Sequence, residues 1–188
     1  MARESRRLIA TLGDLDIDGL GIACVAGIDA AEAVRRLDAE AVDIDLDRMM
    51  AMYWENPIRD DTILTMGVTD VPGGCVLAQP WGYGPQMPGV TSALSMGTTC
   101  YAMYVNPKSG NQGKICRDGD LVAWDLHPGG GPDEHERGRD ALLAQLYEDH
   151  ALAYCFAYVG LRPIDGRAVS GPPDSWIRLP TRDYWTWR

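Results

Sequence analysis

The side chains in this sequence best suited to contact a ligand belong to a short segment rich in glycine and proline. Pro80-Trp-Gly-Tyr-Gly-Pro85 places Trp81 and Tyr83 on a tightly turning frame after a run of apolar residues. Aromatic side chains presented at the end of a strand are typical of ligand and partner surfaces. We therefore predict a binding surface at this loop, although the rings could instead fill the core beneath it. Three aromatic residues on neighbouring strands are expected to face it: Tyr101, Tyr104 and Trp124.

Motifs for nucleophilic or phosphate chemistry are incomplete. No Gly-x-Ser-x-Gly occurs, and the glycine-rich segments lack the lysine or the third glycine of a nucleotide loop. If the protein is an enzyme, proton transfer would fall to carboxylates or an imidazole, which are the usual acid–base groups. The candidates for this catalytic role are isolated residues: Glu55, Asp118, Asp120 and His127. They would have to meet in a shaped pocket to act together.

Metal-binding motifs are also incomplete. The segment Asp14-x-Asp-x-Asp-Gly19 opens like a calcium loop, but its twelfth position is Val25, where a bidentate glutamate is required. His135 lacks a second histidine four residues on, and a solvated loop pair with His127 is favoured over a shared metal. The five cysteines are odd in number, widely spaced and without a Cys-x-x-Cys pair, which favours buried thiols. We predict no metal and no cofactor.

Composition and charge exclude several classes of protein. The chain has 188 residues, of which 46% are hydrophobic and 23% charged, as expected for one globular domain. The net charge of −10 disfavours nucleic acid as a partner. No apolar run of membrane-spanning length occurs, and no signal core follows the basic start, so we expect no membrane partner and a cytoplasmic location.

The negative charge is concentrated in one part of the chain. Residues 14–61 hold thirteen aspartates or glutamates against four arginines, whereas the segment from Arg162 onward holds five arginines against three aspartates. We therefore predict an acidic patch within residues 14–61. Opposite charge allows this patch to attract the basic C-terminal segment.

The hydrophobic pattern predicts an α+β fold in a single domain spanning residues 1–188. We expect a mostly antiparallel sheet of five or six strands, with helices near 30–37, 46–54 and 139–159 packed on one face. The strands are expected within 20–28, 62–71, 75–79, 98–105, 114–117 and 121–126. Residues 1–13 are expected to form a flexible basic arm. Residues 161–188 are expected to wrap irregularly around the body, with Trp176, Trp185 and Trp187 laid against it.

The order of several motifs resembles an uncharacterised actinobacterial domain family, a domain of unknown function. The resemblance spans residues 20–160 and is carried by Ile22–Leu37, Gly74–Ala78, Trp81–Gly84, Leu94–Thr98 and the Asp118-Gly119 hairpin. These segments are similar to the family's strand–Gly–helix opening, its apolar strand, its aromatic–glycine loop, its Leu-Ser-x-Gly-Thr motif and its Asp-Gly turn. The resemblance implies a compact α+β domain, and it assigns no catalytic residue. An actinobacterial source is expected separately from composition, because fifteen arginines against two lysines are typical of a GC-rich coding sequence.

Two functional hypotheses follow. The first is a non-catalytic binding or accessory protein, partner-shielding or immunity-like, with an acidic patch and an aromatic loop. The second is a small cofactor-independent enzyme of actinobacterial specialised metabolism, of the cyclase or isomerase type, with an aromatic-lined pocket. The partner would be a small apolar molecule or a protein. A deep apolar pocket holding a perturbed acid or histidine would favour the enzyme, and a flat acidic face over 38–61 would favour the binding protein.

Overall fold

The computed structural model describes residues 2–13, 19–106, 108, 110–129 and 139–186. The strands are β1 (Leu20–Ala26), β2 (Glu40–Val42), β3 (Thr65–Val71), β4 (Gly74–Pro80), β5 (Thr99–Val105), β6 (Gln112–Arg117), β7 (Asp120–Asp125) and β8 (Ser175–Arg178). The helices are α1 (Ala2–Leu12), α2 (Ala30–Leu37), α3 (Leu46–Glu55), α4 (Asp60–Ile63), α5 (Pro88–Ser95), α6 (Arg139–Leu146), α7 (Ala151–Val159) and α8 (Arg167–Ser170), with a 3-10 turn at Gly84–Gln86. The strands form one sheet in the order β2-β8-β3-β4-β1-β5-β6-β7, and every neighbouring pair is antiparallel.

The α+β class and the antiparallel sheet are confirmed, but the expected five or six strands are wrong, because the sheet has eight. Six of the eight correspond to the predicted runs. The two additional strands, β2 and β8, contain only three and four residues. Such short segments carry too few apolar positions for a period-2 pattern, and they are strands only because each finds a partner: β2 pairs with β8, and β8 with β3.

The helices cover both faces of the sheet rather than one. We call one side the α7 face, where α1 and α7 pack on side chains such as Ile22 and Tyr101. The other side is the α2 face, where α2 and α5 pack on side chains such as Ala23 and Cys100. The reason is visible in β1, where every residue from Leu20 to Val25 is buried. A strand that is apolar on both sides must be covered on both sides.

The N-terminal segment, expected to be a flexible basic arm, contains helix α1. Leu8 and Leu12 of this helix are buried in the core of the α7 face. The Arg162 Nε of the C-terminal segment lies 2.5 Å from Glu4 Oε1 and ties the helix to the body. The basic residues of α1 therefore lie on the solvent side of an amphipathic helix.

The C-terminal segment is more regular than an irregular wrap, since it contains α8 and β8. Trp176 is buried as expected, Trp185 is 62% exposed, and Trp187 lies outside the described residues. This segment also contacts the acidic part of the chain. Arg182 Nη1 lies 3.0 Å from Asp38 Oδ2, and Arg178 Nη1 lies 3.7 Å from Asp61 Oδ1. The attraction expected between the two segments is therefore present.

Helical structure predicted over 139–159 is divided into α6 and α7. Asp149 adopts a left-handed backbone conformation with φ of +63°, and its N–H donates to the Gly129 carbonyl at 3.1 Å. A non-glycine residue in this conformation cannot continue a right-handed helix. Gly160, at φ of +83°, ends α7.

All five cysteines are free and buried, as the sequence predicts. The calcium-like segment 14–18 and His135 lie outside the described residues. Within the part of the chain that the structure describes, no three histidine, cysteine or acidic residues are grouped as metal ligands. Among the helices of that same part, none has both the length and the apolar composition needed to cross a membrane.

Candidate functional site

Five aromatic side chains form a partly exposed surface, which we call the aromatic platform: Tyr53, Trp54, Trp81, Tyr83 and Tyr104. The rings of Tyr83 and Tyr104 stack with centroids 4.2 Å apart, and those of Tyr53 and Trp81 with centroids 5.9 Å apart. Trp54 meets the Tyr53 ring edge-on at 5.4 Å. Trp54 is 71% exposed and Tyr83 50% exposed. Rings in mutual contact that remain open to solvent offer a rigid surface to a partner.

Tyr104 belongs to one ring pair and lies close enough to Tyr53 of the other pair to be affected by it. Burial raises its pKa to about 12, and the neighbouring Tyr83, which shares a hydrogen bond with it, and Tyr53 act in the same direction. The Tyr104 hydroxyl therefore stays protonated at neutral pH. At Tyr104 the platform consequently offers an aromatic face and a neutral hydroxyl group.

The structure brings together three of the five residues predicted for this surface: Trp81, Tyr83 and Tyr104. Tyr101 does not belong there, because side chains three residues apart on a strand lie on opposite faces. Tyr101 is fully buried on the α7 face, and its hydroxyl donates to Asp125 Oδ2 at 2.6 Å. Trp124 is 59% exposed on the edge strand β7, two strands from Tyr104, with the Lys114 Nζ 5.7 Å from its ring centroid.

Sequence reasoning missed Tyr53 and Trp54, which come from helix α3 rather than from a strand. Met49 is the only residue of α3 that is buried. The end of a helix bearing two exposed aromatic residues, followed by Asn56-Pro57, was the signal that could have identified them.

The loop that carries Trp81 and Tyr83 is organised by one buried side chain, Gln79. Its Nε2 donates to the carbonyls of Thr62 and Thr65, each at 2.7 Å, and lies 3.1 Å from that of Ile63. Its Oε1 accepts from the Gly84 N–H at 2.6 Å. Gln79 thus joins the start of β3 to the loop, and all four of its amide contacts are to backbone.

Close approach to Gln79 explains the glycines on either side of Tyr83. A Cβ at Gly82 would lie 2.3 Å from the Gln79 side chain, and one at Gly84 would lie 2.7 Å from it. Both positions therefore require glycine for packing. The two glycines of the Trp-Gly-Tyr-Gly sequence therefore allow the loop to pack closely against Gln79 of the sheet.

Trp81 is held in a left-handed backbone conformation, with φ of +59°. Its N–H donates to the Gly19 carbonyl at 2.5 Å, and its ring lies where a Cβ on Gly19 would be only 2.5 Å away. Such a conformation costs about 1–3 kcal/mol for a bulky residue and is retained only where surrounding contacts enforce it. The loop therefore fixes the direction of this ring at an energetic cost.

Lys114, which sequence reasoning also missed, holds the far end of the loop. It is one of only two lysines, is 2% exposed, and its Nζ donates to the Gln86 carbonyl. Burial lowers its pKa. A lysine inside a strand of otherwise buried residues was the signal that could have drawn attention to it.

The four catalytic candidates are not brought together. Asp118 and Asp120 line an open cleft of about 470 Å³ at the start of β7, opposite Arg35 and Arg36 of α2. The backbone N–H of His127 donates to Asp125 Oδ1 beyond the other end of β7, about 17 Å away along the strand.

Glu55, the fourth candidate, lies in a different part of the molecule. It lines a cleft of about 210 Å³ together with Arg48, Arg59 and Arg178. Arg178 belongs to β8, which is six strand positions from β7 in the sheet, or about 29 Å. Glu55 therefore cannot act on the same substrate atoms as the candidates at either end of β7.

The cleft beside α2 supports a prediction about pH. Hydrogen bonds from Arg35 and Arg36 lower the pKa of Glu32 to about 2 from its ordinary value near 4.5. A lowered pKa in the folded state gives stability that is present above pH 4.5 and is lost as the pH falls from there to about 2. We expect Glu32→Gln to lower the urea midpoint at pH 6 and to lower it by a smaller amount at pH 3, where part of this stabilisation is already lost.

The matched control is Glu40→Gln, at an exposed position of β2. This change should shift the midpoint little at either pH. An equal loss from Glu32→Gln at pH 6 and pH 3 would contradict the role assigned to the two arginines.

Comparison of the chain with protein-family models, with curated proteins and with solved structures finds no match. The case for a function therefore depends on the geometry of the aromatic platform and of the clefts.

Proposed function

We propose that this protein is a non-catalytic binding protein whose aromatic platform engages a protein partner through arginine or lysine side chains. The observation that carries the proposal is Trp81, a bulky residue held at positive φ so that its ring stacks on Tyr53. Backbone strain of this kind concentrates at functional sites. Tryptophan and tyrosine are also the residues most enriched among the energetically dominant contacts of interfaces.

Charge around the platform supports a cationic partner. The segment from residue 38 to residue 61 carries eight carboxylates and two arginines. Asp45 caps the N-terminus of α3 and Asp47 lies in its first turn, while Tyr53 and Trp54 lie near its C-terminal end. A helix of this length spans about 15 Å, so acidic and aromatic groups lie within one partner footprint. Cations are attracted both to the carboxylates and to the faces of the rings.

Rigidity of the platform supports binding without a large ordering cost. Gln79, Lys114 and the Gly19 carbonyl each hold the loop through hydrogen bonds to or from its backbone. A surface that is already ordered loses little conformational entropy when a partner binds. The catalytic alternative lacks comparable support, because its candidate residues are divided between separate clefts.

The proposal can be tested by calorimetric titration with a short peptide of alternating arginine and glycine. Trp54→Ala and Trp81→Ala are each expected to weaken its binding about tenfold or more, the effect typical of a central interface residue. Trp185→Ala is the matched control, because Trp185 is exposed to a similar extent outside the platform. Its affinity for the peptide should equal that of the wild type.

A second control separates cation–π recognition from general attraction to an acidic protein. The same peptide with citrulline in place of arginine retains the shape and loses the charge. We expect it to bind at least tenfold more weakly to the wild type. Equal affinity of the wild type, Trp54→Ala and Trp81→Ala for the arginine peptide would refute the proposal.

A further inference from the structure

A recess crosses the sheet on its α7 face, at the end near β8. The register of the strands aligns Trp176 of β8 with Gly67 of β3, and Gly67 with Ala78 of β4. Glycine and alanine leave the middle of this row without long side chains, so the floor is lower there than on either side. The indole of Trp176, which is 7% exposed, forms one wall.

The recess is covered rather than filled. Leu46 and Met50 of α3, four residues apart and so on one side of the helix, lie above it together with α8. Pro173 closes the space over Gly67, where a Cβ would lie 2.8 Å from the proline ring. The result is an apolar pocket of about 310 Å³. This volume is at the lower end of the range of about 300–1,000 Å³ found for small-molecule pockets.

The charge of the lining is neutralised within the protein. Among the described residues that line the pocket, Arg167 is the charged one. Its Nη1 is bound to Asp174 Oδ1, and its Nε lies 3.8 Å from Asp165 Oδ1. This pairing lowers the pKa of Asp174, mainly through the hydrogen bond from Arg167. A charged ligand would therefore lose its hydration without gaining an unpaired counter-charge.

We infer that this pocket binds a small, neutral, predominantly apolar molecule with a flat ring that stacks against Trp176. The site is distinct from the aromatic platform. The loop of Trp81 packs over Gly21 on the α2 face, whereas the pocket floor is on the α7 face. Helix α3 contributes to both sites, but through different side chains: Leu46 and Met50 line the pocket, and its two aromatic residues belong to the platform. The inference therefore goes beyond the proposed protein-binding function and stands independently of it.

Three naphthalene derivatives that differ in charge provide the test: 2-naphthol, 2-naphthoate and 2-naphthylmethylammonium, each titrated calorimetrically at pH 7. The neutral naphthol is expected to bind saturably, and each ion at least tenfold more weakly. Absence of saturable naphthol binding, or tighter binding of either ion, would overturn the inference.

Two variants fill the pocket from opposite sides, so that the test survives if one of them folds poorly. Ala78→Met fills it from the floor and Met50→Trp from the roof, and either should weaken naphthol binding at least tenfold. The matched control is Met52→Trp, because Met52 of the same helix lines the neighbouring arginine-rich cleft instead. Circular dichroism melting identifies which variants are folded. Naphthol affinity in folded Met50→Trp equal to that of Met52→Trp would place the ligand elsewhere and overturn the inference.

Discussion

Replacing Gln79 with leucine is expected to destabilise the protein by about 4 kcal/mol, since several buried backbone groups lose their partner at once. The Gln79 amide group is fully buried and serves the carbonyls of Thr62 and Thr65 and the N–H of Gly84. Leucine has a similar volume and no polar atoms, so these groups would remain buried and unsatisfied. Each such group costs about 1–3 kcal/mol. Urea denaturation followed by far-ultraviolet circular dichroism measures the loss.

Gln86→Leu is the matched control for this prediction. Gln86 lies in the same loop, is only partly buried and makes a single side-chain hydrogen bond, to the Gln112 carbonyl. Its loss should cost less than about 1 kcal/mol, because water can replace the bond. If the two variants lost the same stability, Gln79 would not organise the loop as described.

Gly21→Ala is expected to have the second largest effect, a loss of about 3 kcal/mol, together with displacement of the aromatic loop. A Cβ at Gly21 would lie 2.2 Å from the Gly82 carbonyl oxygen and 3.3 Å from Pro85. Backbone atoms cannot turn aside as a flexible side chain does, so the loop must rise from the sheet. Gly21 also pairs directly with Gln79, so movement of the loop would strain the same hydrogen bonds.

Two measurements separate loop displacement from a general loss of stability. The near-ultraviolet circular dichroism of the platform rings should decrease under conditions where the protein is still folded, and the arginine–glycine peptide should bind more weakly. Gly166→Ala is the control, because its Cβ would have no neighbour closer than 3.4 Å and its φ is −88°. That change should alter stability by less than about 0.5 kcal/mol. An unaltered near-ultraviolet spectrum in Gly21→Ala would show that the loop does not lie against Gly21.

Local signals predicted the elements that depend on a few neighbouring residues. Asp29, directly before the helix expected near 30–37, caps α2 by accepting from the Glu32 N–H at 2.8 Å. The Asp118-Gly119 turn joins β6 and β7 with both residues at positive φ, as expected for a two-residue hairpin. Interactions over three or four residues are encoded in the order of the residues alone.

The aromatic platform was predicted only in part, because some of its residues come together through contacts between distant parts of the chain. Trp81 and Tyr83 could be identified because a glycine-rich aromatic loop is unusual in itself. Tyr53 reaches the platform from α3, which lies almost thirty positions earlier in the chain, and Tyr101 is excluded from it by the alternation of β5. Which side of a strand faces which loop depends on the sheet order, and that order is set by contacts far apart in sequence.

By itself, the sequence determined the α+β class, the six longer strands, the buried cysteines and the uneven distribution of charge. These follow from hydrophobic period, turn residues and composition, all of which are local. The tertiary structure alone decided that helices cover both faces, that β2 and β8 extend the sheet to eight strands, and that Gln79 fixes the aromatic loop. It also decided that Gly67 and Ala78 align to leave a pocket. Alignment across strands is a property of register, and register is settled only when the whole sheet packs against its helices.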